Sequence, residues 1–109
     1  IEDFWFEADI YMISIALKNL IDNAIKFSTN KKAIIEANKS FIKVISQGEH
    51  LKNELSFYTD AFYQEDKRSS GFGLGLYIVK TIVNLHKFSL DYEYVDGKNC
   101  FMIKLFNQN

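Results

Sequence analysis

The sequence predicts an α/β (α+β) two-layer sandwich: a mixed, mostly antiparallel sheet of about five strands with helices packed on one face. Three observations lead there. Two stretches, 10–27 and 76–86, repeat apolar residues with the 3.6-residue period of a half-buried helix. Runs of β-branched and aromatic residues come in pairs between and after them, at 32–38 with 40–46 and at 88–95 with 99–106. Asp96-Gly97, between the last two runs, is a strong hairpin signal. With Glu2–Glu7 as a further short strand, the order reads β-α-β-β-loop-α-β-β. Helices separated by strand pairs suit antiparallel hairpins under a helical layer and argue against a doubly wound nucleotide fold.

Each element has a local reason. Asp9 is a suitable N-cap for the first helix. Behind it Ile10, Ile13, Ser14, Leu17, Ile21, Ala24 and Ile25 form one side, and the helix should run to about Phe27 and stop at Ser28-Thr29-Asn30. The next two strands turn near Asn38-Lys39. Residues 47–70 are polar, apart from the aromatic cluster Phe57, Tyr58, Phe62 and Tyr63, which suits packing better than base stacking. In the second helix Leu76, Val79, Ile82, Val83 and His86 lie near one side.

Length and composition bound the possibilities. The 109 residues suit one compact domain, 1–109, and the first residue is Ile, so a larger parent is expected. A net charge of −1 gives no global attraction to nucleic acid or anionic membrane, so neither partner is expected. No apolar run reaches the length of a membrane span. One cysteine, Cys100, excludes an internal disulfide, and with two distant histidines it makes no zinc site.

The first helix carries a feature that its packing does not require. Asn19 and Asn23 stand four residues apart, followed by Lys26, although asparagine is a poor helix former. At 100° per residue the three fall within roughly a 60° arc, opposite the apolar stripe. Such an arc is either a solvated face or a ligand surface. A side-chain amide oxygen suits Mg²⁺ that shares its shell with phosphates, and Lys26 supplies a cation for them. A second feature is Ser-Ser-Gly-Phe-Gly-Leu-Gly-Leu at 69–76, where Gly71, Gly73 and Gly75 open a helix. Glycines there serve as a hinge or let backbone N–H groups approach phosphate. The spacing is neither that of a Rossmann turn nor that of a P-loop.

Together these motifs resemble a known family. Leu-Lys-Asn-Leu-Ile-Asp-Asn-Ala-Ile-Lys-Phe-Ser at 17–28 resembles the N box of sensor histidine kinase ATP-binding domains. Residues 71–86, from Gly71 to His86, resemble their second glycine box, and 57–66 their Phe-rich F box. The wider group, of Bergerat fold, includes gyrase, Hsp90 and MutL. The resemblance implies Mg²⁺ and ATP as ligands. Asn23 would ligate the metal. Asn19 and Lys26 would contact phosphates or the metal's waters, and Phe27 would border the nucleotide. Gly71, Gly73, Leu74, Gly75 and Leu76 would line the phosphates, the last four through backbone N–H groups. Residues 63–71 would form a lid, with Lys67 and Arg68 as phosphate contacts. The ATP-hydrolysing branches carry a general-base Glu where this chain has Asn19, and an amide cannot take that proton. The resemblance therefore implies a kinase. It would hold ATP for a histidine on a separate dimerisation domain, in a homodimeric parent that passes phosphate to a response regulator. The parent would be a bacterial inner-membrane sensor with this domain in the cytoplasm.

One motif departs from the family. Its first glycine box, Asp-x-Gly-x-Gly, is matched by Ser46-Gln47-Gly48-Glu49-His50, followed by Leu51. Ser46 replaces the Asp that accepts from the adenine amino group, and His50 replaces the second Gly. Ser46, Gly48 and Leu51 are still expected to border the base, with weaker or relaxed adenine recognition. The alternative reading is a non-catalytic interaction module of the same fold with a degraded site, which Ser46 and His50 favour. His50 reads as a loop residue and His86 as a structural helix-end cation.

Overall fold

The computed structural model describes residues 9–52, 54–59 and 75–105. Helix α1 spans Ile10–Phe27. Asp9 caps it as expected, its Oδ1 accepting from the backbone N–H groups of Tyr11 at 3.0 Å and Met12 at 3.1 Å. At the other end Ser28 N–H and Oγ–H both donate to the Ile25 carbonyl, at 3.3 and 3.0 Å. Strands β1 (Ile34–Ala37) and β2 (Phe41–Gln47) follow, joined by a turn in which Asn38 Oδ1 accepts from Ser40 and Phe41 N–H. A short helix α2 spans Leu55–Thr59 inside the region read from the sequence as loop. Its buried Tyr58 ties it to the core, while Phe57 on the preceding position is exposed. Helix α3 spans Gly75–Leu85, and strands β3 (Ser89–Val95) and β4 (Lys98–Lys104) complete the described chain. Asp96 and Gly97 join them with φ values of 52° and 76°, the double positive of a type I′ hairpin turn.

Among the described residues the sheet has four strands, in the order β1-β2-β4-β3, with every neighbouring pair antiparallel. The sequence reading allowed a mixed sheet of about five. The strand expected at 2–7 lies outside the described residues, as do Phe62, Tyr63 and the lid residues 63–71 with Lys67 and Arg68. The register fixes the two faces. Ile42 and Leu90 flank Ile103, and Val44 and Tyr92 flank Phe101. These rows face the helices and join Leu20, Leu76, Val79 and Val83 in one core. Helices on one face of an antiparallel sheet make the two-layer sandwich that the sequence predicts.

The buried stripe of α1 differs from the predicted one. Ile13, Ala16, Leu20 and Ala24 are buried, Leu17 and Ile21 are half-buried, and Ile10, Ser14 and Ile25 are exposed. The true stripe is turned by about 80° around the helix axis. The reason is packing: α1 lies against both the sheet and α3, so small Ala16 and central Leu20 face inward. The asparagine arc therefore flanks the core, and the placement opposite the apolar stripe is overturned.

His86 is structural, but not as a cation. Its Nε2 accepts the backbone N–H of Asp9 at 2.9 Å, and its Nδ1 lies 2.8 Å from the Ile82 carbonyl. An acceptor at Nε2 and a donor at Nδ1 require the neutral ring. It ties the end of α3 to the start of α1.

Cys100 pairs with Ile45 and Glu93, on the sheet face away from the helices, yet is only 7% exposed. Burial pushes its thiol above the ordinary value, so it stays protonated near neutral pH. Alkylation of native protein at pH 7.5 is expected to run at least ~100-fold slower than in urea. Equal rates would show a thiol open to solvent.

Candidate functional site

The asparagine arc of α1 meets the start of α3. Asn19 turns its Nδ2 back to the Ile15 carbonyl at 2.9 Å, a bond one helical turn long. Its Oδ1 faces Gly75. A Cβ at Gly75 would lie 3.5 Å from that oxygen and 3.2 Å from Asn23 Nδ2. The second distance is tighter than ordinary side-chain contact, so glycine at 75 lets α3 open directly against the two amides. Asn23 Nδ2 is buried and has no hydrogen-bond partner among the described residues. A buried donor left unpaired costs about 1–3 kcal/mol, which marks it as a group built for something else. Leu76, next in α3, is fully buried and anchors this end of the helix in the core.

Toward the C-terminal end of α1, Lys26 is exposed and its Nζ lies 5.3 Å from the centre of the Phe27 ring. Phe27 itself is partly exposed. The chain leaving α1 is pinned to the end of β2, where Thr29 N–H donates to the Gln47 carbonyl at 2.9 Å. This brings Gly48 up to the Phe27 carbonyl. Ser46, on the helix-facing side of β2, is buried. The structure thus gathers Asn19, Asn23 and Gly75 in one place and Phe27, Ser46 and Gly48 in a second, joined by the last turn of α1. Gly71, Gly73 and Leu74 lie outside the described residues.

The loop after β2 is held by residues that the sequence reading missed. Asn99, buried on β4 directly opposite Ser46, donates from Nδ2 to the Glu49 carbonyl at 3.0 Å. Tyr92 OH donates to Asn99 Oδ1 and accepts from Leu51 N–H at 3.1 Å. Tyr94 OH donates to the Gly48 carbonyl at 2.8 Å, and Gly48 N–H donates to the Gly97 carbonyl at 3.1 Å. Burial raises the Tyr92 phenol above its ordinary value, which keeps it a donor. Leu51 is half-buried against the core, and the His50 ring packs on Tyr94, with centroids 4.8 Å apart. The signal was present in the pattern: period-two alternation puts Tyr92 and Tyr94 on the inner face of β3, and the Asp96-Gly97 hairpin then sets Asn99 beside them.

This arrangement can be compared with known proteins. Residues 8–108 match the family model described as histidine kinase-, DNA gyrase B- and HSP90-like ATPase. The chain belongs to this family. Among curated relatives, the sensor histidine kinase ArsS of Helicobacter pylori is 35% identical over 93% of this chain and 24% of its own length. The sensor histidine kinase HprS of Escherichia coli is 36% identical over 94% of this chain, again 24% of its own length. The chain therefore spans about a quarter of these relatives. Among solved structures, the Acinetobacter baumannii histidine kinase AdeS superposes with a TM-score of 0.63 at 28% identity, covering 88% of this chain and 46% of that one. The nucleotide-free catalytic domain of histidine kinase ThkA gives 0.69 at 24% identity, covering 89% of this chain and 67% of that one, and supports the fold. No helix among the described residues is long and apolar enough to cross a membrane.

Proposed function

We propose that this chain is the ATP-binding catalytic domain of a sensor histidine kinase. In this reading it holds Mg²⁺ and ATP and presents the γ-phosphate to a histidine on a separate dimerisation domain. The observation that carries the reading is Asn23 Nδ2, buried beside Gly75 and unpaired among the described residues. An amide offers two complementary ends, and this suits a Mg²⁺–phosphate ligand. Oδ1 would hold the cation, and Nδ2 would donate to a phosphate oxygen. Bound Mg²⁺ would neutralise phosphate charge and template the transfer.

The chain's own residues would then position rather than react. The opening of α3, from Gly75 to Leu76, would offer backbone N–H groups to phosphate at the positive end of the helix. Lys26 would add a cation beside it, Phe27 would border the nucleotide, and Ser46, Gly48 and Leu51 would border the base. Asn19 has an amide where hydrolysis needs a base, and its Nδ2 is already held by Ile15. Water attack would go unassisted, so ATP would survive until the phosphoacceptor arrives. The parent would be a homodimeric, membrane-anchored sensor with this domain on the cytoplasmic side, feeding a response regulator.

Mixing the protein with Mg²⁺, γ-labelled ATP and a separately produced dimerisation domain tests this. The expected product is an acid-labile, base-stable phosphohistidine on the added domain, with little free phosphate from the ATP-binding domain alone. Rapid phosphate release without the added domain would favour an ATPase. Binding without any transfer would favour an interaction module.

A further inference from the structure

We infer that the base end of this site is read by one hydroxyl, Ser46 Oγ, and accepts 6-oxo purines nearly as well as adenine. The inference rests on the nucleotide-binding reading above and gives its substrate class. If phosphates lie at Asn23 and Gly75, a nucleotide running along the last turn of α1 travels about 6 Å from Asn23 to Phe27. It then reaches the pinned junction of Thr29 with Gln47, with Ser46 beside it on the inner face of β2.

Among the described residues, two of the three polar groups of the row at that end are occupied. The cross-strand row is Ser46, Asn99 and Tyr94. Asn99 is held at both ends of its amide, by the Glu49 carbonyl and by Tyr92 OH, so its orientation is fixed by the loop. Tyr94 OH is engaged with the Gly48 carbonyl. Ser46, only 8% exposed, supplies the remaining polar group of the row, a hydroxyl. None of the row carries a carboxylate, and Glu93 points to the other face, opposite Cys100.

The chemistry of discrimination follows. An ionised carboxylate only accepts, so it favours the 6-amino group of adenine and repels a 6-oxo group. A hydroxyl donates or accepts by rotating about its C–O bond. It can take a hydrogen from a 6-amino group or give one to a 6-oxo oxygen. Strong rejection of an analogue requires a buried group that the analogue leaves unpaired. A rotating hydroxyl is not left unpaired by either base.

Titrating the wild-type protein with Mg²⁺ plus ATP, and separately with inosine triphosphate, tests the inference without any substitution. The two affinities are expected to agree within about tenfold. In Ser46→Asp the preference for ATP is expected to widen by at least ~10-fold. Wild-type binding of ATP more than ~10-fold tighter than inosine triphosphate would overturn the inference and leave the nucleotide site standing. Binding of neither nucleotide at millimolar concentration would remove both.

Discussion

Asn23→Ala is expected to abolish Mg²⁺-dependent nucleotide binding, at least ~100-fold in affinity, while leaving the fold as stable as before or more so. The two halves of this result have one cause. Asn23 Nδ2 is buried without a partner among the described residues, so in the free protein the amide is a cost. Removing it relieves that cost, and alanine is a better helix residue by up to about 0.7 kcal/mol. Unfolding in urea should give an increase of about 1 kcal/mol or no change. The bound state is different, because the same amide would then serve both cation and phosphate. Asn19→Ala is the contrast, since it also removes the bond to Ile15. Asn23→Ala with unaltered affinity would reject its role, and a large destabilisation would show that its amide is satisfied in the free protein.

Leu20→Ala is expected to have the largest effect on stability. Leu20 is fully buried at the centre of the stripe by which α1 meets the sheet and α3. Deleting a buried leucine to its β-carbon costs about 2–5 kcal/mol, the spread reflecting how far the surroundings collapse into the gap. Domains of this size are stable by about 5–15 kcal/mol in all, so the loss is a large share. The urea midpoint should fall with an unchanged slope. The asparagine face is carried by the same helix, so nucleotide affinity should weaken only through the unfolded fraction. A loss under about 1 kcal/mol would mean that the core does not pivot on this residue.

The sequence reading succeeded where a local rule had little competition. Asp9 as cap, Phe27 as helix end, Asp96-Gly97 as turn and the buried set Leu76, Val79, Ile82 and Val83 in α3 all follow from such rules. It failed where tertiary packing decided. The apolar residues of α1 spread over more than half its circumference, and only contact with both α3 and the sheet selects Ala16 and Leu20 over Ile10 and Ile25. Helix α2 is five residues long, too short to show a period, and is fixed by one buried ring, Tyr58. At the candidate site, Asn19, Asn23 and Gly75 were legible from spacing and resemblance, and the structure brings them together. The hold of Tyr92, Tyr94 and Asn99 on the 48–51 loop was legible only in part: alternation and the hairpin place the three side chains together, but their hydrogen bonds reach residues more than 40 positions away. It also explains how the loop is shaped: side-chain hydrogen bonds fix its backbone at Gly48, Glu49 and Leu51.

In the proposed function, the meeting of α1 with α3 is a Mg²⁺–nucleotide site. Calorimetric titration of the protein with a non-hydrolysable ATP analogue, with Mg²⁺ and again with the metal chelated, tests it most directly. Saturable binding is expected, weakening at least ~10-fold without the metal. No binding at millimolar nucleotide with Mg²⁺ present, or binding indifferent to Mg²⁺, would contradict it.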